Sequence, residues 1–185
     1  RTWCEIRTGL RRDDFASLIE FCQTISLPTA QLDAQIEAVM DVDEWMRYAA
    51  LTMLCGIGDT YTSGCLPCNI RVYAPELGSG KVVALPWDND FVFARSTATT
   101  MLPSSSNLRR VIDIPRFRRL YWGHVQDLVN RTFNAAYMGD WLNHYGQVIG
   151  NNLGGQASYI TSRGNFALSQ LPSQVQFSIT TNGGA

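Results

Sequence analysis

Lysine is almost missing from this chain: fourteen of its fifteen basic residues are arginine, and Lys81 is the single exception. Any contact to phosphate therefore falls to guanidinium groups or to that one ammonium. Charge is sparse as well. Charged residues make up 17% of the chain and the net charge is −1, which excludes a global attraction to nucleic acid or to an anionic membrane surface. No apolar run approaches the roughly 20 residues needed to span a bilayer, so this segment has no membrane span. The opening RTWCEIRTGLRRDD lacks the apolar core of a signal peptide, and no targeting signal is present in this segment. A phosphate loop is missing too. GSGK, ending at Lys81, lacks the wider glycine spacing of that motif and no helix follows it, so it reads as a turn between strands.

The cysteines are few and odd in number: Cys4, Cys22, Cys55, Cys65 and Cys68. Cys65 and Cys68 form a lone CLPC with neither a second CxxC nor a nearby histidine pair, which argues against zinc. A local disulfide stiffening the loop is expected, as suits an exported or cell-surface protein. Cys22 and Cys55 lie in apolar helical stretches and are expected to be buried as small hydrophobes. Cys4 has the option of a partner outside the segment.

A composition of 45% hydrophobic residues in 185 allows a buried core in one domain of ordinary size. The periodicity is mainly helical. Asp13 or Asp14 is placed to cap a helix through FASLIEFCQTI. Leu27-Pro28 breaks that helix, and Thr29 is placed to cap AQLDAQIEAVM. Asp41 or Asp43 starts a third helix, with Trp45, Tyr48, Ala49, Thr52, Met53 and Gly56 along one side. It is apolar almost all round and is expected in the core. It ends at Gly56 or Gly58 and delivers Asp59 into a loop. NIRVYAP and VVALPWDND, joined by ELGSGK, read as a β-hairpin. Residues 94–107 are loop-like. IPRFRRLYWGHVQDLVNRTF then reads as one long helix with Pro115 near its first turn, AAYMGDWLNHYGQVIG as another, and QASYITSRGNFALSQL as the last. The tail VQFSITTNGGA reads as a strand running into a linker. The expected fold is α+β and mostly helical, with a small central hairpin flanked by helices. Residues 1–177 form the domain and 178–185 a linker. With no initiator methionine, the chain is expected to be a segment of a longer protein.

Three polar groups stand out for their order: Asp59 in GDTYTSG, Asn69 in CNIRVY and Asp88 in LPWDND. Taken singly, Asp59 is an ordinary turn residue and Asn69 an ordinary strand-initiating one. Asp88 and Asp90 are different. Two carboxylates at the end of an apolar strand, on one side by the period-two rule if the strand continues, repel unless solvated or bridged by a hard cation. Loop Asp, strand-initiating Asn, hairpin and strand-ending Asp together follow the order of a kinase catalytic lobe, though the loop between Asp59 and Asn69 is longer than in HRDxxxxN.

DVDEWMRYAALTMLCGIGDTY, CNIRVY, KVVALPWDNDFVF and IDIPRFRRLYWGHVQDLV resemble the CotH kinases, atypical protein kinases with a kinase-like fold, and YITSRGNFALSQL resembles that family's closing helix. The resemblance runs from about residue 12 to 177. It implies a kinase-like C-terminal lobe that uses ATP with Mg2+ or Mn2+ to phosphorylate Ser/Thr hydroxyls of a protein substrate. Asp59 becomes the catalytic base or nucleophile-positioning group. Asn69 and Asp88 become metal ligands, and Asp90 a second ligand or an orienting neighbour. Trp87 and Phe91 are expected to pack around the site.

The chain departs from that pattern in two places. The CLPC insertion lengthens the loop between Asp59 and Asn69. Only 58 residues precede Asp59 and they contain no lysine, so the lobe that holds the nucleotide phosphates is expected outside this segment, and the segment by itself is expected to be inactive. Two other readings compete: a non-catalytic surface or adhesion module on a kinase-like scaffold, and a metal-dependent phosphohydrolase using Asp88 and Asp90. Arg109, Arg110, Arg116, Arg118 and Arg119 read as a solvated helix face, with contact to phosphate or an acidic substrate as the functional option. Arg163, among apolar neighbours, is expected to pair with a buried carboxylate. His124 and His144 are not assigned to catalysis.

Overall fold

A computed structural model describes residues 15–65, 68–75 and 80–173. Its centre is α3, Val42–Leu54. Asp41 caps this helix, its carboxylate accepting the Glu44 N–H at 3.2 Å. The apolar sequence then buries nearly the whole circumference: Trp45, Met46, Ala49, Ala50, Met53 and Leu54 are all inaccessible, and only the Asp43 and Arg47 side reaches water. Along it packs α5, Pro115–Arg131, whose Phe117, Tyr121, Trp122, Val125 and Val129 face inward. Pro115 occupies the first turn, where its missing N–H costs nothing. His124 on α5 meets Asp43 on α3 at 2.9 Å, so this histidine joins two helices.

Around this pair stand α1, Ala16–Ile25, and α2, Thr29–Val39, with the short α4, Ser106–Ile112, beside them. On the other side α6, Ala135–Ile149, and α7, Gly154–Ser169, form an antiparallel pair, with α7 touching both α5 and α3. The outer side of α6 leaves Tyr137, Trp141 and Tyr145 exposed.

The sheet has two antiparallel strands, β1 (Ile70–Tyr73) and β2 (Val83–Pro86), with Ile70 opposite Pro86 and Tyr73 opposite Val83. An isolated hairpin is marginal in water. This one is fastened to the head of α3. The Val82 carbonyl accepts from Asp41 N–H at 3.1 Å and from the Trp45 indole at 2.9 Å, and the Ala84 N–H donates to the Glu44 carboxylate at 2.8 Å. Half-burial beside Asp41 and Asp43 raises the pKa of Glu44, desolvation being the largest cause.

The helix-rich α+β layout with one small hairpin is as the sequence implies. Several local expectations need correction. Thr29 is the first residue of α2 and does not cap it: Pro28 stands at the cap position and no side chain bonds there. Cys22 is exposed, because α1 turns Phe21, Thr24 and Ile25 to the core and leaves Cys22 beside Ile19 on the outer side. The long helix with Pro115 in its first turn is as expected, and a short additional helix, α4, precedes it, ending where Asp113-Ile114 leads into the proline. Asp13, Asp14, Cys4, most of the ELGSGK turn and the tail lie outside the described residues.

Candidate active site

α3 stops at Leu54, and Gly56 just beyond its cap has a φ of +57°, which suits a residue without a side chain. Three residues later the chain presents Asp59. The loop carrying it is tied down by hydroxyl groups. Ser63 Oγ accepts the Thr60 N–H at 3.1 Å and lies 2.9 Å from the Gly58 carbonyl, closing a single 3-10 turn over Tyr61–Ser63. Thr60 meets the Tyr48 hydroxyl at 3.1 Å, and Thr62 meets Thr52 at 2.8 Å. Thr52, Thr60 and Thr62 are almost wholly buried, so these contacts form where water does not compete. Burial raises the Tyr48 pKa, which keeps its phenol neutral.

Asn69 reaches across to this loop. Its amide Nδ2 donates to the Asp59 carbonyl at 3.0 Å and to Asp59 Oδ2 at 2.9 Å. Cys65 and Cys68 between them form a disulfide, so the CLPC insertion is a closed staple. Two consequences follow for the chemistry. Asn69 has its donors turned to Asp59, and its amide oxygen remains for a cation or donor. Asp59 has one oxygen engaged and the other, Oδ1, buried with no partner. A buried acceptor without a donor is unusual in a folded protein.

Asp88 lies beyond the end of β2, which stops at Pro86, so the period-two rule does not set its direction relative to Asp90. Both carboxylates are exposed. Asn69 and Asp88 have φ of +45° and +55°, in the left-handed region that carries strain for a residue with a side chain. Phe93, at +61°, is the only other described non-glycine residue there. Two of the three strained positions thus coincide with residues singled out from sequence for metal binding.

The loop after Asp90 is zipped to the loop before Asp59 by backbone bonds. Gly58 N–H donates to Phe91 O at 3.2 Å, Phe93 N–H to Cys55 O at 2.7 Å, and Arg95 N–H to Gly56 O at 3.1 Å. Asp59 directly follows one zipped residue and Asp90 directly precedes another. The zip therefore brings the Asp59–Asn69 half and the Asp88–Asp90 half together. Among the described residues no three His, Cys, Asp or Glu side chains converge as a metal cluster. A hard ion here would need the Asn69 oxygen and oxygens from its own ligands to complete its shell.

Trp87 and Phe91 are about half exposed. The Arg71 guanidinium lies 3.1 Å from the centre of the Trp87 ring. Four of the five arginines of the basic stretch make structural contacts. Arg109 and Arg118 share Asp113, Arg116 binds Asp33 and Glu37, and Arg110 donates to the carbonyls of Ile25 and Leu27 at the end of α1.

Arg163 finds no carboxylate. It is fully buried and donates instead to the carbonyls of Met53 (2.7 Å), Thr97 (3.0 Å) and Thr99. Desolvation lowers its pKa, and the partial charges of those carbonyls, one in the last turn of α3, replace a formal counter-ion. Cys55 nearby has its thiol pushed up to about 12 by burial, so it is not a nucleophile. Sequence reasoning missed Tyr48, Thr52 and Ser63 as supports for Asp59. The run of hydroxyls in GDTYTS was the available signal.

A model of the CotH kinase protein family matches residues 5–176. No curated protein matches the chain. The family match covers the helices, the hairpin and every residue of the candidate site: the chain belongs to the CotH kinase family.

Proposed function

We propose that this chain supplies the metal-binding and acceptor-binding half of a protein kinase site, transferring phosphate from metal–ATP to Ser/Thr hydroxyls. One observation carries the reading: Asn69 holds the Asp59 carboxylate through one oxygen, while the other oxygen has no hydrogen-bond partner among the described residues. The Asp59 carboxylate would receive the proton of an acceptor hydroxyl. The Asn69 contact orients the carboxylate.

The oxygens of Asn69 and Asp88, with Asp90 as second ligand or orienting neighbour, are the hard donors that suit Mg2+ or Mn2+. A divalent ion bound with ATP supplies neutralisation of phosphate charge in a loose, in-line transfer. Asp59 orients the acceptor, and the strained backbone at Asn69 and Asp88 fixes where their donors sit before ligands arrive. Among the described residues the guanidiniums named around the site are engaged, Arg71 on Trp87, Arg95 on the Ser63 carbonyl and Arg163 on backbone, so a phosphate-holding cation would come from outside the described residues. The Cys65–Cys68 disulfide supports an exported or cell-surface setting.

The test is calorimetry of ATP with Mg2+ or Mn2+ on the full protein, wild type against Asp88→Asn. Metal-dependent nucleotide binding that disappears in the variant supports the reading; binding that persists unchanged overturns the assignment of Asp88. The engaged state of those three arginines also favours a second reading, a non-catalytic surface module on a kinase-like scaffold. Full protein that binds no nucleotide at any metal concentration would favour it.

A further inference from the structure

We infer that α7, which contributes no group to the site, sets the spacing of its two halves through Tyr159 and Arg163. The inference rests on the reading of Asp59 and Asp88 as parts of one site. The two side chains are four residues apart and so share one face of the helix. Arg163 grips both halves at once. Its Nη2 holds the carbonyl of Met53, in the last turn of the helix that delivers Asp59, and its Nη1 holds the carbonyls of Thr97 and Thr99, on the segment that follows Asp88 and Asp90. A planar fork of donors does this in a way that a lysine ammonium does not.

Tyr159 acts one turn earlier on the same two segments. Its ring lies 4.9 Å from that of Phe93, and its hydroxyl presses on Gly56, where an added Cβ would come within 2.1 Å of the oxygen. That hydroxyl is buried and has no hydrogen-bond partner. Stability alone would favour phenylalanine there, because an unpaired buried hydroxyl costs and contributes nothing. As a wedge against Gly56, next to the Arg95-to-Gly56 and Phe93-to-Cys55 bonds, it holds the zip in register. Tyr159 and Arg163 are thus positioning residues.

The experiment is hydrogen exchange at the Gly58, Phe93 and Arg95 amides, together with Mn2+ binding by calorimetry. It uses full protein: wild type, Arg163→Lys, Tyr159→Phe and Asp88→Asn. Arg163→Lys should speed exchange at those three amides about tenfold or more while the α3 amides of Ala49 and Ala50 keep their protection, and should weaken Mn2+ binding. Tyr159→Phe should speed Phe93 and Arg95 by about threefold with no fall in melting temperature, which also decides the matter if Arg163→Lys does not fold. Unchanged exchange at the zip amides, or a rise matched by Ala49 and Ala50, overturns the inference. If Asp88→Asn keeps its Mn2+ binding, the metal assignment falls, and the exchange data alone still decide whether α7 holds the loops.

Discussion

The two halves of the site are built in opposite ways. Asp59 sits on a loop stitched to the central helix by buried hydroxyls and is held by Asn69, so its geometry is set by the fold. Asp88 and Asp90 stand exposed on a loop after a short strand, held by backbone strain and by the zip to Cys55, Gly56 and Gly58. The difference is chemical. On the proposed function, a base must be aimed before the substrate arrives, whereas carboxylates that take a hydrated divalent ion gain from water access, because burying them unpaired would neutralise them.

Function separates the halves most. Asp59→Asn should lower kcat by about a hundred- to ten-thousand-fold, the range of a lost general base, while metal-dependent nucleotide binding persists. Steady-state kinetics beside calorimetry reads this, and loss of nucleotide binding in that variant would blur the division drawn here. Next is the buried support. Thr52→Val leaves the Thr62 hydroxyl without its partner and should cost about 1–3 kcal/mol in urea unfolding, with activity lost in proportion to Asp59 misplacement. Asp88→Gly should do the reverse on the exposed side, abolishing metal binding yet raising stability by up to about 1 kcal/mol as the left-handed backbone relaxes. A destabilised Asp88→Gly protein would mean that the Asp88 side chain also holds the fold.

The smallest effect concerns pH. The Glu44 pKa is raised in the fold, so the folded state favours the protonated acid. The stability this gives is present below the unfolded carboxyl pKa and is lost as pH rises through the higher folded value. Glu44→Gln imitates the protonated form and keeps an acceptor for Ala84 N–H. It should therefore gain melting temperature over wild type at pH 7 and lose that advantage near pH 4. An advantage independent of pH would show that charge is not its source.

How much of this was legible in the sequence varied with distance along the chain. The α3 cap at Asp41, the apolar helix after it and the hairpin pairing follow from residues within a few positions of one another, and the periodicity expresses them directly. Cys22 was misread for a local reason: which side of a helix is buried depends on the neighbour packed against it. Arg163 was misread for a distant reason. A buried guanidinium usually signals a carboxylate, and nothing in its own stretch announces that three backbone carbonyls from residues 53 to 99 would converge on it.

By itself, then, the sequence determined the helical character, the hairpin, and the identity and order of Asp59, Asn69 and Asp88, because side-chain period and motif order are local properties. Only the tertiary structure decided that Asn69 turns its amide onto Asp59, that one Asp59 oxygen is left unpaired, and that α7 clasps both loops. Those contacts join residues ten to more than a hundred positions apart, and only packing around α3 brings them within hydrogen-bond range.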